Sequence, residues 1–161
     1  MARRFAALDT KLLYGDSCAV THHRRAIAHL RGNLRFDFVI CPTVWFEIRY
    51  AEENGTEEVK RRTHLVLQDI DDSTYIVHRT LKETYEKAFR KHAQDFLDRN
   101  VLPQGTKVDA RVLIEASYFD CTELLTTRNA LLDADPKQIN LTLLACGLNE
   151  ITVLSPQNLP S

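Results

Sequence analysis

The chain has 161 residues, 44% of them hydrophobic and 27% charged, with a formal net charge of −1. Those proportions describe an ordinary globular protein long enough to bury a core, and no stretch approaches the ~20 apolar residues of a membrane-spanning helix. A pI of about 6.6 excludes a global basic field that would announce nucleic-acid binding, while leaving room for a local basic patch.

Arg4 to Asp9 reads as a first strand, an apolar run that ends in an acid and a hydroxyl before an apolar-periodic segment begins. Its apolar run is too short for the core of a secretory signal. Lys11 to Cys18 predicts one or two helical turns. Thr21 to Leu30 predicts a second helical piece, broken at Gly32-Asn33. Phe36 to Cys41 is a second strand closed by Pro42, and Thr43 is the expected N-cap of a helix reaching about Glu53. Thr56 to Ile70 continues as an amphipathic helix, and Thr74 to Val77 is a third strand.

The longest helical pattern runs from Thr80 to Arg99, with Leu81, Tyr85, Ala88, Phe89, His92 and Phe96 at three- and four-residue steps. On that stripe His92 is expected in the core or an interface, not as a ligand. After the Pro103-Gln104-Gly105 loop, Thr106 opens a helix to about Phe119. Glu123 to Thr127 is a fourth strand, Asp135-Pro136 opens a helix to about Gly147, and Ile151 to Leu154 is a last strand. Strands alternating with helices predict βαβ units in a single domain over residues 1–161. The expected fold is a three-layer α/β/α sandwich with a central, mostly parallel sheet of four to five strands.

The cysteines Cys18, Cys41, Cys121 and Cys146 contain no CxxC pair and read as reduced thiols of a cytoplasmic protein. A faint zinc-like spacing at Cys18, His22 and His23 lacks a second ligand cluster. The five glycines form no dinucleotide or phosphate-loop fingerprint.

Several acids fall where strands hand over to helices, the rim at which open α/β sheets bind ligands. Asp9 ends the first strand, and reads either as a helix cap or as a site residue. Glu47 lies one turn into the next helix among Trp45, Phe46 and Ile48. An acid there is costly unless it is paired, with Arg49 or Lys11 for example, or binds a cation. Asp109 fits a capping box with Thr106 and also stands at the rim. Asn129 and Asp133 follow the fourth strand, as turn residues or as a further oxygen ligand. Carboxylates that share a cleft repel each other unless a cation neutralises them, and hard divalent ions prefer such oxygens.

In this order the residues resemble the PIN-domain family, metal-dependent ribonucleases that include VapC-type toxins. The similarity rests on Leu8-Asp9-Thr10, on Glu47-Ile48-Arg49-Tyr50, on Asp109 to Ala116, and on Leu124-Leu125-Thr126-Thr127-Arg128-Asn129. It implies an endoribonuclease using Mg²⁺ or Mn²⁺, with Asp9, Glu47 and Asp109 around the metal. Asn129 would support a water or an acid, and Asp133 is the other candidate for the fourth ligand. Arg24, Arg25, Arg31, Lys60, Arg61 and Arg62 would be candidate contacts to the RNA backbone. The same resemblance implies an RNA substrate and an antitoxin partner, while apolar residues on the helices after Thr43 and Thr80, including Trp45 and Tyr50, read as a homodimer surface or as core. A catalytically degenerate PIN-like module that binds RNA or protein is the alternative, because the chain has Lys11 where the family often has Asn and its fourth acid is Asn129 or must be supplied by Asp133.

Overall fold

The computed structural model describes residues 4–14 and 20–159. Five strands, β1 (Arg4–Leu8), β2 (Phe36–Ile40), β3 (Ile76–His78), β4 (Cys121–Leu125) and β5 (Thr152–Leu154), form one sheet in the order β3-β2-β1-β4-β5. Every neighbouring pair is parallel. Parallel neighbours need crossover connections, and helices supply them. These are α1 (Thr10–Tyr14) and α2 (Val20–Gly32), α3 (Pro42–Asn54) and α4 (Glu57–Asp72), α5 (Glu83–Asp98) and α6 (Lys107–Tyr118), then α7 (Asn129–Leu132) and α8 (Pro136–Ala145). The result is the expected three-layer α/β/α sandwich, with the sheet wholly parallel.

Burial on both faces explains the composition of the central strands. Ala6, Ala7 and Leu8 of β1 and Phe38, Val39 and Ile40 of β2 are fully buried, as expected of a sheet covered on both sides. Cys41 and Cys121 are buried free thiols. Burial pushes the Cys121 thiol up to about 12 and raises Cys41 as well, so neither carries a reactive thiolate near neutral pH. Cys18 and the side chain of His22 lie outside the described residues.

Several boundaries shift for identifiable reasons. Cys41, not Thr43, is the N-cap of α3, because Pro42 takes the first helical position and its fixed φ starts the helix there. The third strand begins at Ile76, two residues late, because the Ser73 hydroxyl accepts from the N–H groups of Tyr75 and Ile76, both at 3.2 Å. Thr56 caps α4 and Asp135 caps α8 as expected, accepting from the N–H of Val59 and of Lys137 respectively. Between α3 and α4, Gly55 has no room for a side chain. A Cβ there would lie 2.5 Å from the carbonyl oxygen of Ala51 and 2.6 Å from Val59.

The strand order turns back on itself between β1 and β4. The chain moves outward from β1 through β2 to β3, then crosses to β4 and β5. Clefts for ligands in open parallel sheets form at this reversal, at the carboxyl ends of the strands. Asp9 follows β1 and Thr126 follows β4 at that edge. The Asp9 N–H donates to the carbonyl of Leu125 at 3.1 Å.

Candidate functional site

Asp9 stands at the carboxyl end of β1, with a side chain only 1% exposed. Its carboxylate accepts from the N–H of Thr10 and from the Thr126 hydroxyl, both at 2.7 Å. Glu47 reaches the same point from α3, where the Thr10 hydroxyl donates to it. Asp109 arrives from the first turn of α6. All three expected acids therefore stand around one point, supplied by a strand end, the second turn of α3 and the first turn of α6.

That point is filled by a side chain. The guanidinium of Arg128, two residues beyond Thr126, uses all three of its nitrogens on the acids. Nε donates to both Asp9 oxygens at 2.9 and 3.0 Å, Nη1 to Asp109 at 2.9 Å, and Nη2 to both Glu47 oxygens at 2.9 Å. Burial works against the charge on Arg128, but Asp9, Glu47 and Asp109 more than offset it and raise its pKa. A forked, charge-assisted contact of this kind is the strongest hydrogen bonding available to a carboxylate.

Arg128 also decides the other readings of these acids. The Thr106–Asp109 capping box does not form. Asp109 is committed to the guanidinium, and the Thr106 hydroxyl donates to the carbonyl of Pro103 instead. Arg49 pairs with Glu52, and Lys11 is exposed and takes no part in the cluster. Asn129 opens α7 next to Arg128, and Asp133 stands exposed at its far end. Neither side chain donates to or accepts from the three carboxylates.

A second buried acid holds the scaffold of the cleft. Glu115 on α6 is fully buried, and its carboxylate accepts from the N–H (2.8 Å) and hydroxyl (2.9 Å) of Thr43 on α3. Arg111 Nε donates to it at 2.8 Å, and the same guanidinium donates to Glu86 at 3.0 and 2.6 Å. Burial raises the Glu115 carboxyl pKa, and the Thr43 and Arg111 bonds act in the opposite direction. This clamp ties the helix carrying Glu47 to the helix carrying Asp109. Sequence reading missed both Arg128 and Glu115. Glu115 left a signal, an acid directly after the apolar run Val112-Leu113-Ile114, whereas Arg128 meets its acids only through the fold.

No family model matches the chain, and neither does any curated protein. Among solved structures it is similar to a chain of VapBC2 from Rickettsia felis, a complex solved bound to a DNA fragment from its promoter. The TM-score is 0.60 at 9% identity, over 94% of this chain and 98% of that one. The fold is PIN-like. At this identity the likeness is one of architecture, and the residues of the site stand on their own geometry.

Within the PIN-like fold the carboxylate cluster suits a hard divalent ion in its chemistry: three carboxylates face one guanidinium, so two negative charges stay unbalanced. Its spacing is set by Arg128. Among the described residues, the one group of three ligand-capable side chains with atoms all within 4.8 Å of one another lies elsewhere, at His92, Asp95 and Cys146. There His92 stays on the apolar stripe, its ring 6.3 Å from that of Phe89. Its Nδ1 is buried without a hydrogen bond, 4.0 Å from Asp95. Mixed nitrogen, oxygen and sulfur donors could coordinate a zinc-class metal sooner than Mg²⁺.

Beside the carboxylate cluster a groove of about 680 Å³ runs between α3, α5 and α6. Its walls are apolar, with Phe46 68% exposed and Val108 half exposed. Arg49, Arg79, Arg90 and Lys107 also line it. Trp45, another lining residue, stacks on His78 at 4.2 Å between ring centroids. Phe46 and Val108 immediately precede Glu47 and Asp109 respectively, so the groove and the cluster share helices α3 and α6. The basic residues singled out from the sequence behave differently. Arg31 pairs with Asp37, Lys60 with Glu57 and Arg62 with Glu58. No helix among the described residues is long and apolar enough to cross a membrane.

Proposed function

We propose that the chain is a divalent-metal-dependent endoribonuclease that hydrolyses RNA phosphodiester bonds at the Asp9–Glu47–Asp109 cluster. The observation that supports this most is the charge excess. Three carboxylates converge on the switch point of the sheet, and the one cation among them leaves two negative charges. Bringing a third acid to a single guanidinium is unfavourable for stability alone, whereas a divalent ion in the guanidinium's place lowers the excess from two negative charges to one.

Asp9, Glu47 and Asp109 would hold Mg²⁺ or Mn²⁺. The ion would acidify a water and offset charge on the scissile phosphate. The chain's own part is to fix the geometry. Thr126 and Thr10 orient Asp9, and the Glu115 clamp sets Glu47 against Asp109. The adjoining groove suits a single strand, with Phe46 as a stacking surface and Arg79 and Lys107 beside the phosphates. A protein partner such as an antitoxin would compete for that same groove, and dimerisation through the exposed Phe46 and Tyr50 would cover part of it.

The test is cleavage of matched single-stranded RNA and DNA in Mg²⁺, Mn²⁺ and excess chelator. Metal-dependent cutting of RNA is expected, and no cutting under any condition would sink the reading. In the same assay Lys107→Ala and Arg79→Ala should weaken binding across all RNA sequences alike, each lowering the salt slope by about 1. Unchanged binding by both would remove the groove from the account. The second reading, a catalytically degenerate module, is favoured by one observation, the presence of Arg128 among the acids. It predicts RNA binding with no metal-dependent cutting.

A further inference from the structure

We propose that Arg128 and the divalent ion are alternative occupants of the same three carboxylates, so that the guanidinium must swing out before the metal can enter. This rests on the metal reading given above and adds a built-in competitor to it. Each guanidinium nitrogen already donates to one of the acids, and the side chain is 17% exposed, so it fills the centre of the cluster.

The two arrangements exclude each other on distance. A small hard ion needs oxygens at about 2.1 Å from one centre. Spread around the planar fork, the oxygens of Asp9, Glu47 and Asp109 do not form a trio within 4.8 Å. A divalent ion placed beside the guanidinium would also face its positive charge without intervening solvent. Metal binding therefore requires the carboxylates to close and the cation to leave.

The backbone allows this exchange. Arg128 lies between β4 and α7 in an extended conformation, with φ −74° and ψ 111°. Its own N–H is held by the Thr126 hydroxyl at 3.0 Å. Rotation of the side chain alone frees the cluster, without moving the strand or the helix. A guanidinium fork so released matches a phosphate as well as it matches a carboxylate. RNA arriving in the groove offers such an acceptor, so substrate and metal should each favour the other's binding.

The experiment is calorimetric titration of Mn²⁺ into the wild-type chain, Arg128→Gln and Arg128→Gln/Asp9→Asn. Arg128→Gln should bind roughly 5- to 150-fold more tightly, the usual range for two coupled occupancies. The double variant should lose that gain. Equal or weaker binding by Arg128→Gln overturns the exchange while leaving the metal reading in place. Absence of Mn²⁺ binding by both the wild type and Arg128→Gln overturns the two together. Should Arg128→Gln fail to fold with three unbalanced acids, Arg128→Lys keeps the charge but loses the fork. It is then expected to bind Mn²⁺ more tightly than wild type, and no gain would overturn the proposal.

Discussion

Asp9→Asn is expected to lower metal-dependent RNA cleavage at least about 100-fold, with little change in RNA affinity. The size follows from what the carboxylate does. Both oxygens receive Arg128, one also takes the Thr126 hydroxyl, and the other takes the Thr10 N–H. An amide keeps the shape but turns an NH₂ donor toward donors, and it removes one of the charges a divalent ion needs. Binding should survive because the groove residues are untouched, so the loss belongs in kcat and not in KM. Paired measurements of cleavage and of RNA binding by fluorescence anisotropy check this. Retained cleavage would place the chemistry outside the carboxylate cluster.

Glu115→Ala should destabilise the fold by about 3–5 kcal/mol, the range for removing one partner of a buried ion pair. The Thr43 N–H and the Arg111 Nε would lose their fully buried carboxylate partner, and Arg111 would keep only Glu86. Because the clamp joins α3 to α6, the loss should also disturb the spacing of Glu47 and Asp109. Urea unfolding gives the stability change, read from the midpoint at constant slope. A loss below about 1 kcal/mol would mean that the clamp is open in solution, since surface substitutions commonly cost that little. Glu115→Gln, which keeps one acceptor oxygen for Thr43, should fall between the two.

Much of the fold was legible because it depends on local periodicity. The buried runs at Ala6–Leu8 and Phe38–Ile40 and the helical stripe through Phe89 and Phe96 announce themselves within a few residues. Asp9 was legible for the same reason, as an acid that ends a buried strand. Glu47 and Asp109 required the resemblance to a family, since each also fits an ordinary surface or capping role. Arg128 was not legible in this way. Its partners lie 119, 81 and 19 residues away in the chain, and only the return of β4 to the side of β1 brings them together. Its spacing from Thr126 is readable, but a search for oxygen ligands selects Asn129 and Asp133 and passes over a cation. His92 followed the same course: its place on the stripe was right, and its meeting with Asp95 and Cys146 depends on how α8 ends against α5.

The most direct test of the account is anomalous diffraction from crystals soaked in Mn²⁺. A peak is predicted at the end of β1, at about 2.1–2.2 Å from oxygens of Asp9, Glu47 and Asp109, with the Arg128 guanidinium turned away. Arg128 still seated among the three carboxylates, with no peak between them, would contradict the metal centre.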